Sequence, residues 1–382
     1  MKQRAGLIIL IAVALIVAVY AMTRPKATTT SGPTQAANGK PAAEITEVKG
    51  YIGGEKLGFL ADPDVTRILS DKYGIRVSAT KLGSIDMVEG DVTGQDFLWP
   101  SSQVAQEIYV DRVHKDSASK IKNGASKIVK SDIIFNSPIV IYSWDIVTDA
   151  LIKVGVVRKV GAEYYIVDLP KLVDMINKKA TWKSIGLDNL YAGIIVRSTD
   201  PSKSNSGMMF AGLLANITNG GEVVNDSTVG KTLPTVKSFF VRQGFMETSS
   251  SDQFDQFLKM GVGTSPMVVG YESQLVEFGM ENAQYRDMLK THIQILYPRP
   301  TVWSSHPLIA LNANGVKLLD ALHDPEIQKI AWEKHGFRSG LLGAQNDPSV
   351  LKLAGIPARI ENVMPMPTPR VMKKIINAVS GP

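Results

Sequence analysis

Gly193-Ile-Ile-Val-Arg-Ser-Thr-Asp-Pro-Ser-Lys-Ser-Asn-Ser-Gly207 joins a short apolar run to a loop crowded with hydroxyls. The apolar residues 191–196 predict a buried strand. Beyond the loop, Phe210, Leu213, Leu214 and Ile217 recur at i, i+3, i+4 and i+7, the stripe of a core-facing helix. The loop therefore lies between the carboxyl end of a strand and the amino end of a helix. Open α/β sheets hold ligands at that place, because free backbone N–H groups and the positive end of the helix dipole point outward there. Ser204, Asn205, Ser206 and Gly207 add side-chain hydrogen bonds and a close backbone approach. The plainer reading, an N-cap and nothing more, also fits, since Ser and Asn are favoured caps.

The same grammar extends along the chain on both sides. Asp62-Pro63 and Asp324-Pro325 place a cap before Pro at the first helical position, and Gly74 and Gly336 stand at the corresponding helix ends. Residues 75–79, 97–99, 164–167 and 266–270 read as strands, and helices are expected after Gly83-Ser84, after Ser101-Ser102 and around Leu172, Phe254 and Ile327. Two long β-rich runs, 133–144 and 293–311, carry prolines and predict passages between two lobes. Strands alternating with helices imply an α/β fold with mainly parallel sheets covered by helices on both faces.

The chain has 382 residues, too many for one simple core, so two lobes are the expectation. A net charge of +6 with no basic block gives no nucleic-acid signature. There is no cysteine, which excludes disulfides, thiolate metal sites, catalytic thiols and a lipid-bearing cysteine. Lys2, Gln3 and Arg4 precede an uncharged run over residues 5–22. Eighteen helical residues span roughly 27 Å, enough to cross a hydrocarbon core. Residues 1–22 are thus read as a signal-anchor or, alternatively, a cleaved signal peptide, since Val19-Tyr20-Ala21 resembles a cleavage site. Residues 23–46, rich in Thr, Pro, Ala and Gly, read as a linker with an r.m.s. span of roughly 25–30 Å if flexible. Either way the folded part is exported, to the periplasm or the extracellular face.

The pieces and their order resemble the type II periplasmic (extracellular solute-)binding protein superfamily over residues 47–345. Gly53-Gly54-Glu55-Lys56 is similar to a "GSEK" opening, with Gly54 in place of Ser. Ser137-Pro138-Ile139-Val140-Ile141 is similar to an "SPVVI" crossover, and Thr199-Asp200-Pro201 through Gly207 to a "DP…SNSG" ligand loop. Tyr271-Glu272 resembles a "YE" strand end, and Gly336-Phe337-Arg338 a "GFRP" turn with Ser339 replacing Pro. The resemblance implies two lobes around a cleft joined by two crossovers. Lobe one is expected from 47–140 plus 302–382 and lobe two from 141–301. It also implies a ligand site at Glu55, Lys56, Ser84, Ser101, Ser102, Ser204, Asn205, Ser206, Tyr271 and Glu272. The neutral donors suit a small polar or anionic solute, while the carboxylates admit an amine, a sugar hydroxyl or a metal.

Catalysis finds no support. The chain has no G-x-S-x-G elbow, and His114, His292, His306, His323 and His335 show no H-E-x-x-H spacing. No cofactor and no resident metal are expected. The expected partner is a membrane permease of the ABC type, served by a monomer. The alternative is a tethered sensory or scaffold module acting in another membrane complex, since a tether raises effective concentration for one neighbour. Trp99 and Trp303 are candidates for stacking on a solute. Val371, Ile375, Ile376 and Val379 predict a short amphipathic closing helix docked on the first lobe, after a surface turn at Met364-Pro365-Met366-Pro367.

Overall fold

The computed structural model describes residues 45–118, 127–161, 164–341 and 346–380. The expected anchor (1–22) and nearly all of the linker lie outside the described residues. Among those described, no helix is long and apolar enough to cross a membrane.

The fold is a two-lobed α/β architecture. β1 (Thr46–Ile52) pairs in parallel with β2 (Ile75–Lys81) and β3 (Phe97–Trp99). The long β4 (Lys130–Trp144) belongs to both lobes. Its first part, through Pro138, runs antiparallel to β9 (Trp303–Ala310), which pairs in turn with β3. From Ile139 onward it pairs with β7 (Met267–Tyr271) and β8 (Ile293–Arg299). The change of partner falls at Ser137-Pro138, where proline has no N–H to offer a ladder. The second sheet is completed by a hairpin of β5 (Val157–Val160) and β6 (Tyr164–Asp168), with β6 parallel to β8. A short β10 (Arg338–Ser339) returns to β4 in the first sheet.

The sheets are mixed, which corrects the mainly parallel expectation. Among the described residues only the β1–β2, β1–β3 and β6–β8 ladders are parallel. The strands that cross between lobes run against their neighbours, and alternation of elements along the sequence does not reveal that polarity.

Among the described residues three apolar clusters hold the molecule. Phe59, Ile68, Leu69 and Leu318 pack on one face of the first sheet, and Met87, Val88 and Tyr109 on the other. The third cluster is the core of the second lobe, where Phe210, Leu213, Leu214 and Ile217 of the helix Asn205–Thr218 are all buried, as their spacing predicts. Residues 191–196, in contrast, do not form a regular strand. Ala192 adopts a positive φ of 86° and Ile194 N–H turns to Ala180 O at 2.8 Å, so β pairing is confined to bridges at Gly193 and Arg197. The closing helix Pro369–Ser380 is also corrected. Val371, Met372, Ile375 and Val379 join the core of the second lobe, against the helices Asn205–Thr218 and Val229–Val241.

Candidate functional site

Loops from both lobes meet at one crevice. From the first lobe come Gly53–Glu55 after β1, Lys81–Ser84 after β2, and Ser101 after β3; from the second come Lys203–Asn205, Thr248–Ser250, and Tyr271 at the end of β7. The open cavity between them is small, about 40 Å³. Two long helices begin at its wall. Ser204 precedes Asn205–Thr218 and Ser249 precedes Ser250–Thr264, and neither serine side chain caps its helix. Ser204 Oγ instead contacts Ser206 Oγ at 3.1 Å, which in turn contacts Thr199 Oγ1 at 2.9 Å. Elsewhere Asp62, Asp168, Asn312 and Asp324 cap their helices with side-chain acceptors. The uncapped N–H groups facing the crevice give it an anion-favouring wall. Gly207 is required beside it, since a Cβ there would strike Thr199 O.

Two ion pairs bridge the lobes at the rim. Lys81 Nζ lies 3.7 Å from Asp252 and Lys203 Nζ lies 4.0 Å from Asp86. Both are exposed and long, so they contribute little to stability.

Behind the wall sits a buried polar cluster. Lys56 Nζ donates to Glu55 Oε1 and, at 2.9 Å, to Ser101 Oγ, which itself donates to Glu55 Oε1. His306 Nδ1 stands 3.4 Å from Glu55 Oε1 without the alignment of a hydrogen bond. Burial would raise the Glu55 carboxyl, but Lys56 and His306 outweigh it and hold the carboxyl well below its usual range. Burial lowers Lys56 against the pull of Glu55. Burial, followed by repulsion from Lys56, brings His306 down to about 4, so its imidazole is neutral at physiological pH. Asn205 Nδ2 donates to Ser101 O at 2.9 Å and to the Tyr271 hydroxyl at 3.0 Å. A carbonyl oxygen can only accept, which fixes the amide orientation and leaves Asn205 Oδ1 buried without a partner.

No protein-family description matches the sequence, and no curated protein matches it significantly. Solved structures do match. A periplasmic thiamin binding protein aligns at a TM-score of 0.55 and 12% identity, over 91% of this chain and 100% of that one. AfuA from Actinobacillus pleuropneumoniae, a periplasmic binding protein with exogenous fructose-6-phosphate bound, aligns at 0.52 and 13%, over 87% and 96%. The apo ferric ion-binding protein A of Pasteurella haemolytica aligns at 0.51 and 16%, over 87% and 96%.

The chain has the type II periplasmic-binding-protein fold.

Within this fold, the residues expected at the site separate into two groups. Glu55, Ser84, Ser101, Ser204, Asn205 and Tyr271 line the crevice. Lys56, Ser102, Ser206 and Glu272 do not. Lys56 is wholly buried beneath Glu55, 5.7 Å from the centre of the Trp99 ring. Ser102 Oγ accepts from Ala105 N–H at the start of the helix Gln103–Ala118. Glu272 is committed to Arg338, whose Nε and Nη2 reach its two oxygens at 2.6 and 2.9 Å, and to the Tyr297 hydroxyl at 2.6 Å. Its acceptors are thereby occupied, so it is a structural anion and not a ligand group. Trp99 is a core residue donating to His306 O at 3.1 Å, and Trp303 lines a separate groove with Met209 and Met364. Lys81, Lys203, Thr248, Ser249 and Ser250 line the crevice and were missed as site residues. The hydroxyl cluster at 248–251 before an apolar helix was the available signal for three of them.

Proposed function

We propose that this chain is an extracytoplasmic solute-binding protein whose lobes close on a small solute bearing negative charge and at least one O–H or N–H donor. The observation that carries this reading is the crevice between the lobes, onto which the helices Asn205–Thr218 and Ser250–Thr264 open without side-chain caps. Lys81 and Lys203 add positive charge to the same wall. The donor requirement comes from the unpartnered Asn205 Oδ1 and the Glu55 carboxylate, two acceptors that repel a fully deprotonated oxyanion. The similar solved structures are a thiamin binding protein, a binding protein holding fructose-6-phosphate and a ferric ion-binding protein, which supports solute binding without choosing the solute. In this reading lobe one is built from about 47–140 and 302–341, and lobe two from about 141–301 together with the segment 348–366 and the closing helix.

The test is calorimetry and thermal melting of the purified protein with hydrogen phosphate, sulfate and small sugar phosphates at neutral pH. A solute present at about 100 times its Kd adds roughly 2.7 kcal/mol of stability. Phosphate-bearing solutes should act and sulfate should not. Absence of any shift across the panel sinks the reading.

The uncharged run at 5–22 and the linker at 23–46 carry the proposal further. A monomer tethered to the outer face of the membrane would present its solute to one neighbour, an ABC-type permease or a different membrane complex in which it serves as sensor or scaffold. Solute uptake by cells lacking the protein separates these partners, because only the first loses transport.

A further inference from the structure

A second pocket, of about 380 Å³, lies in the second lobe and shares no lining residue with the crevice. Its floor holds two buried polar atoms with no partner, Ser198 Oγ and Gln243 Nε2, on residues only 2% and 6% exposed. Gln243 cannot be turned over to relieve this. Its Oε1 accepts from Ser198 N–H at 2.6 Å, which an NH₂ group cannot do. Buried polar groups left unpaired are rare and unfavourable, so two of them on residues that line one cavity mark a place for a ligand acceptor. Arg197 lies beside them. Its Nε donates to Thr264 O at 3.1 Å, and its Nη groups have no partner among the described residues. Glu247, Met260 and Phe245, a phenyl ring left 80% exposed, also line the wall.

We propose that this pocket is a ligand site for a free α-amino acid with an apolar side chain. Arg197, Gln243 Nε2 and Ser198 Oγ receive the carboxylate, Glu247 receives the ammonium, and Phe245 and Met260 cover the side chain. A guanidinium and a carboxylate on one partly apolar wall match a zwitterion better than an acid or an amine alone, and the volume suits a small ligand. The site is independent of the solute crevice, although the helix Ser250–Thr264 contributes to the walls of both.

The test is calorimetry of the full chain with L-leucine, L-methionine and L-phenylalanine, with leucinamide and 4-methylpentanoate as probes lacking one charge. At least one amino acid should bind saturably, and each single-charge analogue should bind about tenfold or more weakly. Arg197→Met and Glu247→Gln should each weaken binding by a similar factor. Phe245→Ser, at a surface ring whose loss cannot unfold the lobe, should weaken it too. Ser204→Ala in the crevice should leave amino-acid binding unchanged. The proposal is overturned if no amino acid binds. It is equally overturned if Arg197→Met and Phe245→Ser bind as well as the parent, or if Ser204→Ala is the change that abolishes binding.

Discussion

Gly83 and Lys203 touch across the crevice: a Cβ on Gly83 would stand 2.5 Å from the carbonyl oxygen of Lys203. Gly83 has φ −62° and ψ 145°, a conformation open to any residue, so only the approach of the opposite lobe demands glycine. Gly83→Ala should therefore leave the unliganded protein about as stable as the parent while opposing closure. Overpacking of this kind costs about 1–3 kcal/mol, which corresponds to roughly five- to a hundredfold in affinity. Titration of the bound solute against both proteins checks this. A large loss of melting temperature with affinity intact would show that the contact is not one of closure.

Ser204 and Ser206 should part company on substitution. Ser204 lines the crevice without capping its helix, whereas Ser206 Oγ is enclosed between Thr199 and Ser204. Ser204→Ala should weaken solute binding by about tenfold, the worth of one hydrogen bond to a charged group. Ser206→Ala should lower stability by about 1 kcal/mol and barely move affinity. Chemical denaturation and calorimetry on both variants test the pair.

Arg338 and Glu272 are a buried, two-point pair, so removing one member leaves the other charge uncompensated. Arg338→Met should destabilise by about 3–5 kcal/mol. The double change Arg338→Met with Glu272→Gln should recover part of that loss, because no isolated charge remains. Urea unfolding of the three variants measures the coupling. Equal losses for the single and the double change would contradict it.

His306 makes stability depend on pH with a defined sign. An unfolded chain takes up this proton near 6.5, and the folded chain only near 4. Between these values the unfolded state binds more protons, so stability is complete above 6.5 and falls as pH drops toward 4. The loss amounts to about 3 kcal/mol over that window. His306→Gln should flatten the stability curve between pH 6.5 and 4 relative to the parent, whatever its effect at pH 7.

Local chemistry made much of this legible from sequence. Asp62 and Asp324 are followed by proline and do cap their helices, and β3 ends where Pro100 requires. Six of the ten expected site residues line the crevice, because strand ends and helix starts are written in turn residues. The remainder depends on what each group meets after folding. Tyr271-Glu272 reads as one polar strand end, yet its two side chains face different surroundings, and the partner of Glu272 lies 66 residues away. An amphipathic stripe such as Val371 to Val379 says that a helix buries a face, without saying against which lobe. Strand direction at β4 and β9 is likewise set by tertiary routing, which residue pattern does not encode.

The closing helix has a mechanical consequence. The described chain starts at β1 in the first lobe and finishes at Pro369–Ser380 against the second, having crossed back beside the bridge between Thr301 and Val363. The two ends therefore pack mainly on different bodies, and a swing of one lobe against the other would change their separation. Dyes attached near residues 46 and 380 would read that swing directly in a single molecule. A chain held near residue 46 would keep the first lobe in place, and residue 380 would travel with the second lobe in any such swing.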